Sequence, residues 1–594
     1  MTETLTSVNF DFEIWQGMKG IVVSDADEFM KQYLKAIREQ YESSGFNPRY
    51  EAGDVHTVSV ECRDGVKLTT DIYLPPVPGP YPTIVVRCPY PQQEGLWRLH
   101  GEELTKRGYA LVCEWCRGTY TSEGTWEPNV NERNDGADLL DWLERQDWVQ
   151  TVGLWGTSYL ALTCWLVSDI TTPKVAAICA NHYGTDRFSS AYQKGSFRCD
   201  VLTAWAMQNA GHPVQADYLE SARYLPQMTV DEDMWGGRLD WYRDWVSHPK
   251  GTDSYWNEGF WGMLKSIPSH VKVPMLIHEG WFDHHLGSAL NGYAALNPKV
   301  KAHSWLRIGC WNHYFNNPLE GLEPEHLNAT EIPSMLEWFD LTLKRHEIPE
   351  RKVEYYEVGD DSWHEVSQWP LPATDVREQP LYLQAGPSVG TAHALMAVPS
   401  ASETLEYEYD PNDPVATCGG EALLTTMDEI GARIQPEPGY RDDVLSFISE
   451  PLSEDLHIQG TIRVELYVSS TAPDTAFTAK LMCVDPDGTA RNYRTSITTL
   501  ALDSADSKAG EAYVPGEIRK VSIDMWDICW KVPMGSRIRC DISSSDFPQY
   551  AVHTNHAGLW SEQTQTRTAM QTIYMGGGTP SAVMLPVRRK IERQ

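Results

Sequence analysis

The feature that most constrains this chain is a change of rhythm near residue 350. Before it, apolar runs of strand length at 82–87, 109–113 and 151–155 alternate with stretches of helical periodicity near 99–107 and 133–146. Strands that alternate with helices build a mostly parallel sheet with helices on both faces. After it, short β-rich runs such as 462–468, 477–484 and 518–523 follow one another with turn signals between them. Few helical periods interrupt them, and this half reads as an all-β sandwich. Two architectures in one chain suit a length of 594 residues, because single cores stop growing at about 250–300 residues.

Finer boundaries follow from local pattern. Residues 1–54 form an N-terminal extension with one helix over 25–41, where Phe29, Tyr33, Leu34 and Ile37 recur at helical spacing. A hairpin spans 55–62 and 68–74 around the turn Arg63-Asp64-Gly65. After a strand at 175–180 the alternation breaks into helical sequence carrying Trp205, Trp235, Trp241, Trp245, Trp256 and Trp261, and resumes with strands at 273–278 and 304–309 and a helix at 334–346. The expected organisation is an α/β core at 55–183 and 271–350, an inserted helical cap at 184–270, and the sandwich at 351–594.

Composition narrows the functional classes. Against 49 basic residues stand 82 acidic ones, a net charge of -33, which repels nucleic acid and anionic membranes. The start Met1-Thr2-Glu3-Thr4 carries no basic segment leading into an apolar one, and no run of about 18 apolar residues occurs, so a cytoplasmic location without membrane partners is expected. The 12 cysteines are dispersed, many inside apolar runs, as buried free thiols are. Cys113 and Cys116 have the spacing of a redox pair, but they close a strand instead of opening a helix.

The chemistry concentrates at Gly153-Leu154-Trp155-Gly156-Thr157-Ser158-Tyr159-Leu160-Ala161, an apolar strand running into a small-residue turn with Ser158 at its tip and a helix behind it. A nucleophile elbow needs this arrangement: small neighbours leave room for the strained turn, and the next backbone N–H, here that of Tyr159, faces a developing oxyanion. The five-residue form G-x-S-x-G is not met, because Leu160 occupies its last position. A serine at its ordinary pKa needs a base, and the base an orienting acid. Asp283 and His313 follow the strands at 273–278 and 304–309, and the order Ser, Asp, His is that of α/β-hydrolases. His284 and His285 adjoin Asp283, but adjacent residues rarely offer both imidazoles to one ion and no H-E-x-x-H or Cys cluster completes a shell. No metal and no cofactor is expected, and His278, inside a strand, reads as a structural residue.

These motifs together resemble the cocaine-esterase-like and X-Pro dipeptidyl-peptidase group of serine hydrolases. The likeness runs through Arg63-Asp64-Gly65-Val66-Lys67-Leu68, Arg87-Cys88-Pro89-Tyr90, Arg117-Gly118 with Ser122-Glu123-Gly124, Gly156-Thr157-Ser158-Tyr159, Gly280-Trp281-Phe282-Asp283, Gly309-Cys310-Trp311-Asn312-His313 and the stretch from Asp541 to Pro548. The resemblance implies a hydrolase core, a cap and a C-terminal jelly roll, with the Tyr90 hydroxyl as an oxyanion donor beside the Tyr159 N–H. Two positions depart from the group: Ala161 stands where it usually has Gly, and Cys310 where it usually has Pro. Members acting on α-amino acid esters carry acidic residues after the catalytic Asp, whereas this chain has His284-His285-Leu286, leaving Glu279 and Glu94 as the candidates to hold an ammonium. The expected activity is hydrolysis of small ester or amide substrates through an acyl-enzyme on Ser158. X-Pro aminopeptidase activity and acyl transfer are the alternatives, and a non-catalytic scaffold is disfavoured. The sandwich is expected either to close the active-site rim or to join copies into a homo-oligomer.

Overall fold

The computed structural model describes residues 26–327, 330–421, 430–501 and 513–589. The segment from Met1 to Thr4 and the side chain of Phe29 lie outside what is described. The first architecture is a ten-stranded sheet. In chain order its strands are β1 (Val55–Glu61), β2 (Lys67–Tyr73), β3 (Tyr81–Cys88), β4 (Ala110–Trp115), β5 (Val149–Thr157), β6 (Val175–Asn181), β7 (Met275–Gly280), β8 (Trp305–Gly309), β9 (Lys352–Glu357) and β10 (Ser362–Glu365). They pair in the order β1-β2-β4-β3-β5-β6-β7-β8-β9-β10. From β4 through β9 every pairing is parallel, and the antiparallel ones lie at the two edges. The central strands are buried on both faces, β4 and β7 along their whole length, which is why they read as continuous apolar runs.

Helices cover both faces. The N-terminal helix α1 (Ala26–Ser43) packs on α2 (Glu94–Lys106) and on the helix Glu331–Phe339. Tyr41 Oη and His100 Nδ1 lie 2.9 Å apart, and Gln40 accepts a hydrogen bond from the Ile332 N–H at 3.1 Å. With α3 (Glu132–Glu144) and α4 (Tyr159–Val167) the sandwich of helices is complete; every residue of α4 is buried, as its uniformly apolar sequence requires. Between β6 and β7 the chain forms the expected helical cap, with helices at Cys199–Gln208, Asp240–Ser247 and Gly259–Ser266, and one two-residue hairpin, Tyr192–Gln193 with Ser196–Phe197.

One boundary needs correction. The sequence placed everything after 351 in the all-β unit, but β9 pairs in parallel with β8, and β10 with β9. Strand periodicity tells that a segment is a strand and not which sheet it joins, so residues 352–365 complete the first sheet. The second sheet has eleven strands and begins with Val376–Gln384. Its longest pairing joins Leu456–Ser470 to Arg519–Val532; with Ala476–Val484 these hold the runs 462–468 and 477–484 whole and the run 518–523 from Arg519 onward.

This all-β domain bears directly on the other two parts. The Val358 N–H bonds to the Cys529 carbonyl at 3.0 Å, Gln193 of the cap donates to the Asp524 carbonyl at 2.8 Å, and the Arg198 guanidinium lies 4.8 Å from the Trp526 ring centre. Eleven of the 12 cysteines are buried free thiols, and Cys418 is partly exposed. Among the described residues no helix is long and apolar enough to cross a membrane.

Candidate active site

Ser158 sits at the joint between β5 and α4 with φ 62° and ψ -128°. A non-glycine residue held there costs about 1–3 kcal/mol and persists only where its surroundings fix it. The surroundings are visible. Gly156 approaches the first turn of α4 so closely that a Cβ would lie 2.2 Å from the Leu160 carbonyl carbon, so only glycine fits. The Ser158 N–H bonds to the Asn181 carbonyl at 3.0 Å, Asn181 Nδ2 donates to Thr157 Oγ1 at 3.2 Å, and Thr157 donates to Glu331 at 2.9 Å. Burial pushes the Glu331 carboxyl up to about 7. Ala161, at the position the resemblance marked as a departure, is fully buried without displacing the turn.

The second half of the site lies at the ends of β7 and β8. His313 Nδ1 is 2.5 Å from Asp283 Oδ2, and Asp283 Oδ1 accepts the His285 N–H at 2.6 Å. Such charge-assisted bonds fix the ring: with Nδ1–H donated to the carboxylate, Nε2 keeps its lone pair. Asp283 is fully buried. Burial opposes its ionisation, but His313, His182 and His284 hold it well below the ordinary range. Glu279 beside it is pushed up by burial and by the Asp283 charge, so it keeps its proton. His284 and His285 are held well below the ordinary imidazole value, first by burial. The negative charge is thereby localised on Asp283, next to His313.

Ser158, Tyr90 and Tyr159 line one cleft together with Asn129, Tyr183, Arg187, Trp205, Trp245, His284, His285 and two aliphatic residues. No hydrogen bond joins Ser158 to His313 among the described residues; catalytic bonds are often long before substrate binds. The Tyr159 N–H opens α4, where it has no intrahelical acceptor. Its phenol is committed elsewhere, donating to Glu132 at 3.0 Å and accepting the Asn129 N–H at 2.8 Å. Glu132 also receives Arg87 at 2.7 Å, and Arg117 pairs with Asp135 at 2.6 Å and Asp64 at 2.8 Å. Several residues that carried the family resemblance thus brace the elbow from below. The Tyr90 hydroxyl accepts the Trp205 Nε1–H at 3.2 Å, which leaves its own proton to give, and burial pushes its pKa up, keeping it protonated.

Neither candidate for an ammonium site reaches the cleft. Glu279 is fully buried against Asp283, and Glu94 pairs with Arg98 on the surface of α2. Of the six cap tryptophans singled out in the sequence, Trp205 and Trp245 face the cleft, while Trp235, Trp256 and Trp261 are buried in packing. His278 is buried in β7 within 3.3 Å of Thr330. His182 was not foreseen: its Nδ1 lies 3.0 Å from the His313 carbonyl and 3.6 Å from Asp283, and its ring stacks on Phe315. His182, Asp283 and His313 come close enough to suggest an ion site. However, ligands about 2 Å from one ion stand about 3 Å or more apart, and the His313–Asp283 separation is that of a hydrogen bond. A second group, Glu357, Asp360 and His364, has Lys531 3.0 Å from Asp360 as its cation.

Residues 64–315 match the model of the X-Pro dipeptidyl-peptidase S15 family, and residues 348–584 match that of the X-Pro dipeptidyl-peptidase C-terminal non-catalytic domain. The chain is 30% identical over 587 residues to a cocaine esterase of Rhodococcus sp. strain MB1 Bresler, covering 90% of this chain and 98% of that one. An aminopeptidase from a marine sediment Thaumarchaeota archaeon superposes with TM-score 0.77 at 22% identity, over 92% of this chain and 98% of that one. An α-amino acid ester hydrolase superposes with TM-score 0.76 at 22% identity and the same coverage. These two likenesses concern the fold alone. With both halves of its length matched in order and an esterase aligned almost end to end, the chain belongs to the X-Pro dipeptidyl-peptidase S15 family and is a serine hydrolase of esters or amides.

Proposed function

We propose that Ser158, His313 and Asp283 form the catalytic triad of an esterase or amidase acting on small acyl substrates, with the Tyr159 N–H and the Tyr90 hydroxyl as oxyanion donors. The observation that carries this reading is the Asp283–His313 bond of 2.5 Å at one side of the fold's strand ends and a strained Ser158 at the other. His313 Nε2 takes the Ser158 hydroxyl proton as Oγ bonds to the substrate carbonyl carbon. Asp283 fixes the tautomer and stabilises the imidazolium. The tetrahedral oxyanion is met by two donors already in place, and Trp205 positions one of them by holding the Tyr90 oxygen. Collapse breaks the bond to the leaving group, which takes the proton from His313, and leaves the acyl group on Ser158. Water, deprotonated by the same imidazole, then releases the acid.

The lining favours acyl groups without an α-ammonium. Among the described residues it offers aromatic and aliphatic surface, neutral imidazoles, the Arg187 cation and no carboxylate, so an aminoacyl substrate would leave its own cation unpaired. The test is turnover of a matched panel of short-acyl, aromatic-acyl and aminoacyl-prolyl nitrophenyl esters and nitroanilides, with Ser158→Ala as control. The reading expects simple esters to be cleaved in a Ser158-dependent way. Preference for aminoacyl-prolyl anilides would contradict the cleft's assignment, and activity that survives Ser158→Ala would contradict the triad.

A further inference from the structure

Among the described residues one cation lines the cleft, and no carboxylate pairs with it. Arg187 follows β6 at the entry to the cap and lines the same space as Ser158. Its guanidinium carbon lies 4.9 Å from the ring centre of Trp245 and 5.9 Å from that of Trp261, and its buried Nε has no hydrogen-bond partner. Among the described residues no carboxylate comes within the 4.0 Å of an ion pair. Other poorly exposed arginines have an acidic partner, and even Arg198, whose Nε is likewise unpartnered, has Asp200 at 4.0 Å. Arg87 has Glu114 at 2.7 Å, Arg243 has Asp231 at 2.7 Å, and Arg494 has Glu421 at 3.0 Å. In a chain with 82 acidic residues, an arginine half-withdrawn from water without an acidic partner is out of character, because a desolvated charge is costly until paired.

The neighbours beside it do not neutralise its charge. Burial and the Arg187 charge both act to keep His285 neutral, and the Tyr183 phenol, raised by burial, is drawn back by the same guanidinium. A planar fork of donors stacked on an indole face is suited to a planar oxoanion, which it can bind by two parallel hydrogen bonds. The flat apolar walls beside it suit the chain that connects such an anion to a scissile carbonyl.

We propose that Arg187 selects substrates whose acyl part ends in a carboxylate, so that the enzyme cleaves half-esters or half-amides of dicarboxylic acids. This deepens the hydrolase reading and rests on it. It also reverses the charge that an aminoacyl pocket would need.

The test uses the mono-4-nitroanilides of glutaric, adipic and suberic acids, each beside its neutral methyl ester, so that reach and charge vary separately. Binding is measured by titration calorimetry on Ser158→Ala, alone and combined with Arg187→Met or Arg187→Lys; turnover is measured on the same Arg187 variants with Ser158 intact. At one chain length or more the acid should bind at least tenfold tighter than its methyl ester. Arg187→Met should lower that preference by about tenfold or more, and Arg187→Lys should restore part of it. Equal binding of acid and methyl ester, or a preference indifferent to Arg187→Met, would overturn the assignment. Because binding is read without chemistry, Arg187-dependent affinity would uphold this inference even if no turnover depended on Ser158, and Ser158-dependent turnover without charge preference would remove this inference alone. Circular dichroism of each variant, with Arg187→Lys as the conservative partner, separates loss of the cation from loss of the fold.

Discussion

The two halves of the proposed active site are built in different ways. The Ser158 turn is shaped by consecutive residues, β5, Gly156, the serine and α4, with the close approach of Gly156 to Leu160 forcing it, and its bracing partners Asn181, Glu331 and Glu132 all belong to the same α/β part. The Asp283–His313 half is held from far away. A Cβ on Gly287, just past His285, would lie 2.6 Å from Trp526 Nε1, and the Arg494 guanidinium lies 5.4 Å from the Phe282 ring centre. Both Trp526 and Arg494 belong to the all-β domain. That domain therefore closes against the loop that carries Asp283, whereas the Ser158 turn is held from within the α/β part. A domain without catalytic side chains can in this way govern the geometry of the base.

This contrast can be broken in graded steps. Ser158→Ala removes the nucleophile itself, and kcat should fall by about 10⁴–10⁶ with the fold unchanged by circular dichroism. Asp283→Asn keeps the shape but loses the anion that orients His313, and a fall of about 10⁴ in kcat is expected. Tyr90→Phe should slow acylation by about 10²–10³ in pre-steady-state measurements while Ser158 stays reactive to a phosphonate. Trp526→Ala, on the other domain, should lower kcat by about tenfold and leave labelled Ser158 as the single adduct. An unchanged kcat there would show that the acid loop needs no support from the β domain.

The smallest effect concerns pH. The Glu331 carboxyl behind the elbow is raised from 4.5 to about 7 by burial. Its folded value lies above its unfolded one, so its contribution to stability is full below about 4.5 and is lost as pH rises through about 7. Glu331→Gln, neutral at every pH, should flatten the decline in Tm between about pH 5 and 8, a difference on the order of 1–3 kcal/mol at the upper end. The flattening is partial, since burial also raises Glu114 and Asp200 to about 7.

The same contrast governs what the sequence could reveal. The elbow was legible because its requirements are contiguous: an apolar strand, small residues, Ser158 and an apolar helix. Asp283 and His313 were legible as residues just past two strand ends in the expected order, though nothing in their spacing spoke of Trp526 or Arg494. Tyr90 was found only through the family resemblance, because a tyrosine at a strand end is ordinarily a packed aromatic. Glu331 and Asn181 were missed. An acid in the first turn of a helix reads as complementing the helix dipole, and only the fold brings it to Thr157. Glu279 was misplaced because β7 is buried on both faces: no position on such a strand faces a cleft, whatever its polarity. Arg187 drew no attention, since its significance lies in a partner it lacks.

The measurement that bears hardest on this account is covalent labelling with a fluorophosphonate, followed by peptide mapping and an ester assay on the same sample. The account predicts one adduct, on Ser158, with esterase activity lost in proportion to labelling and no adduct on Ser158→Ala. An adduct on another residue, or activity that persists when Ser158 is fully labelled, would contradict it.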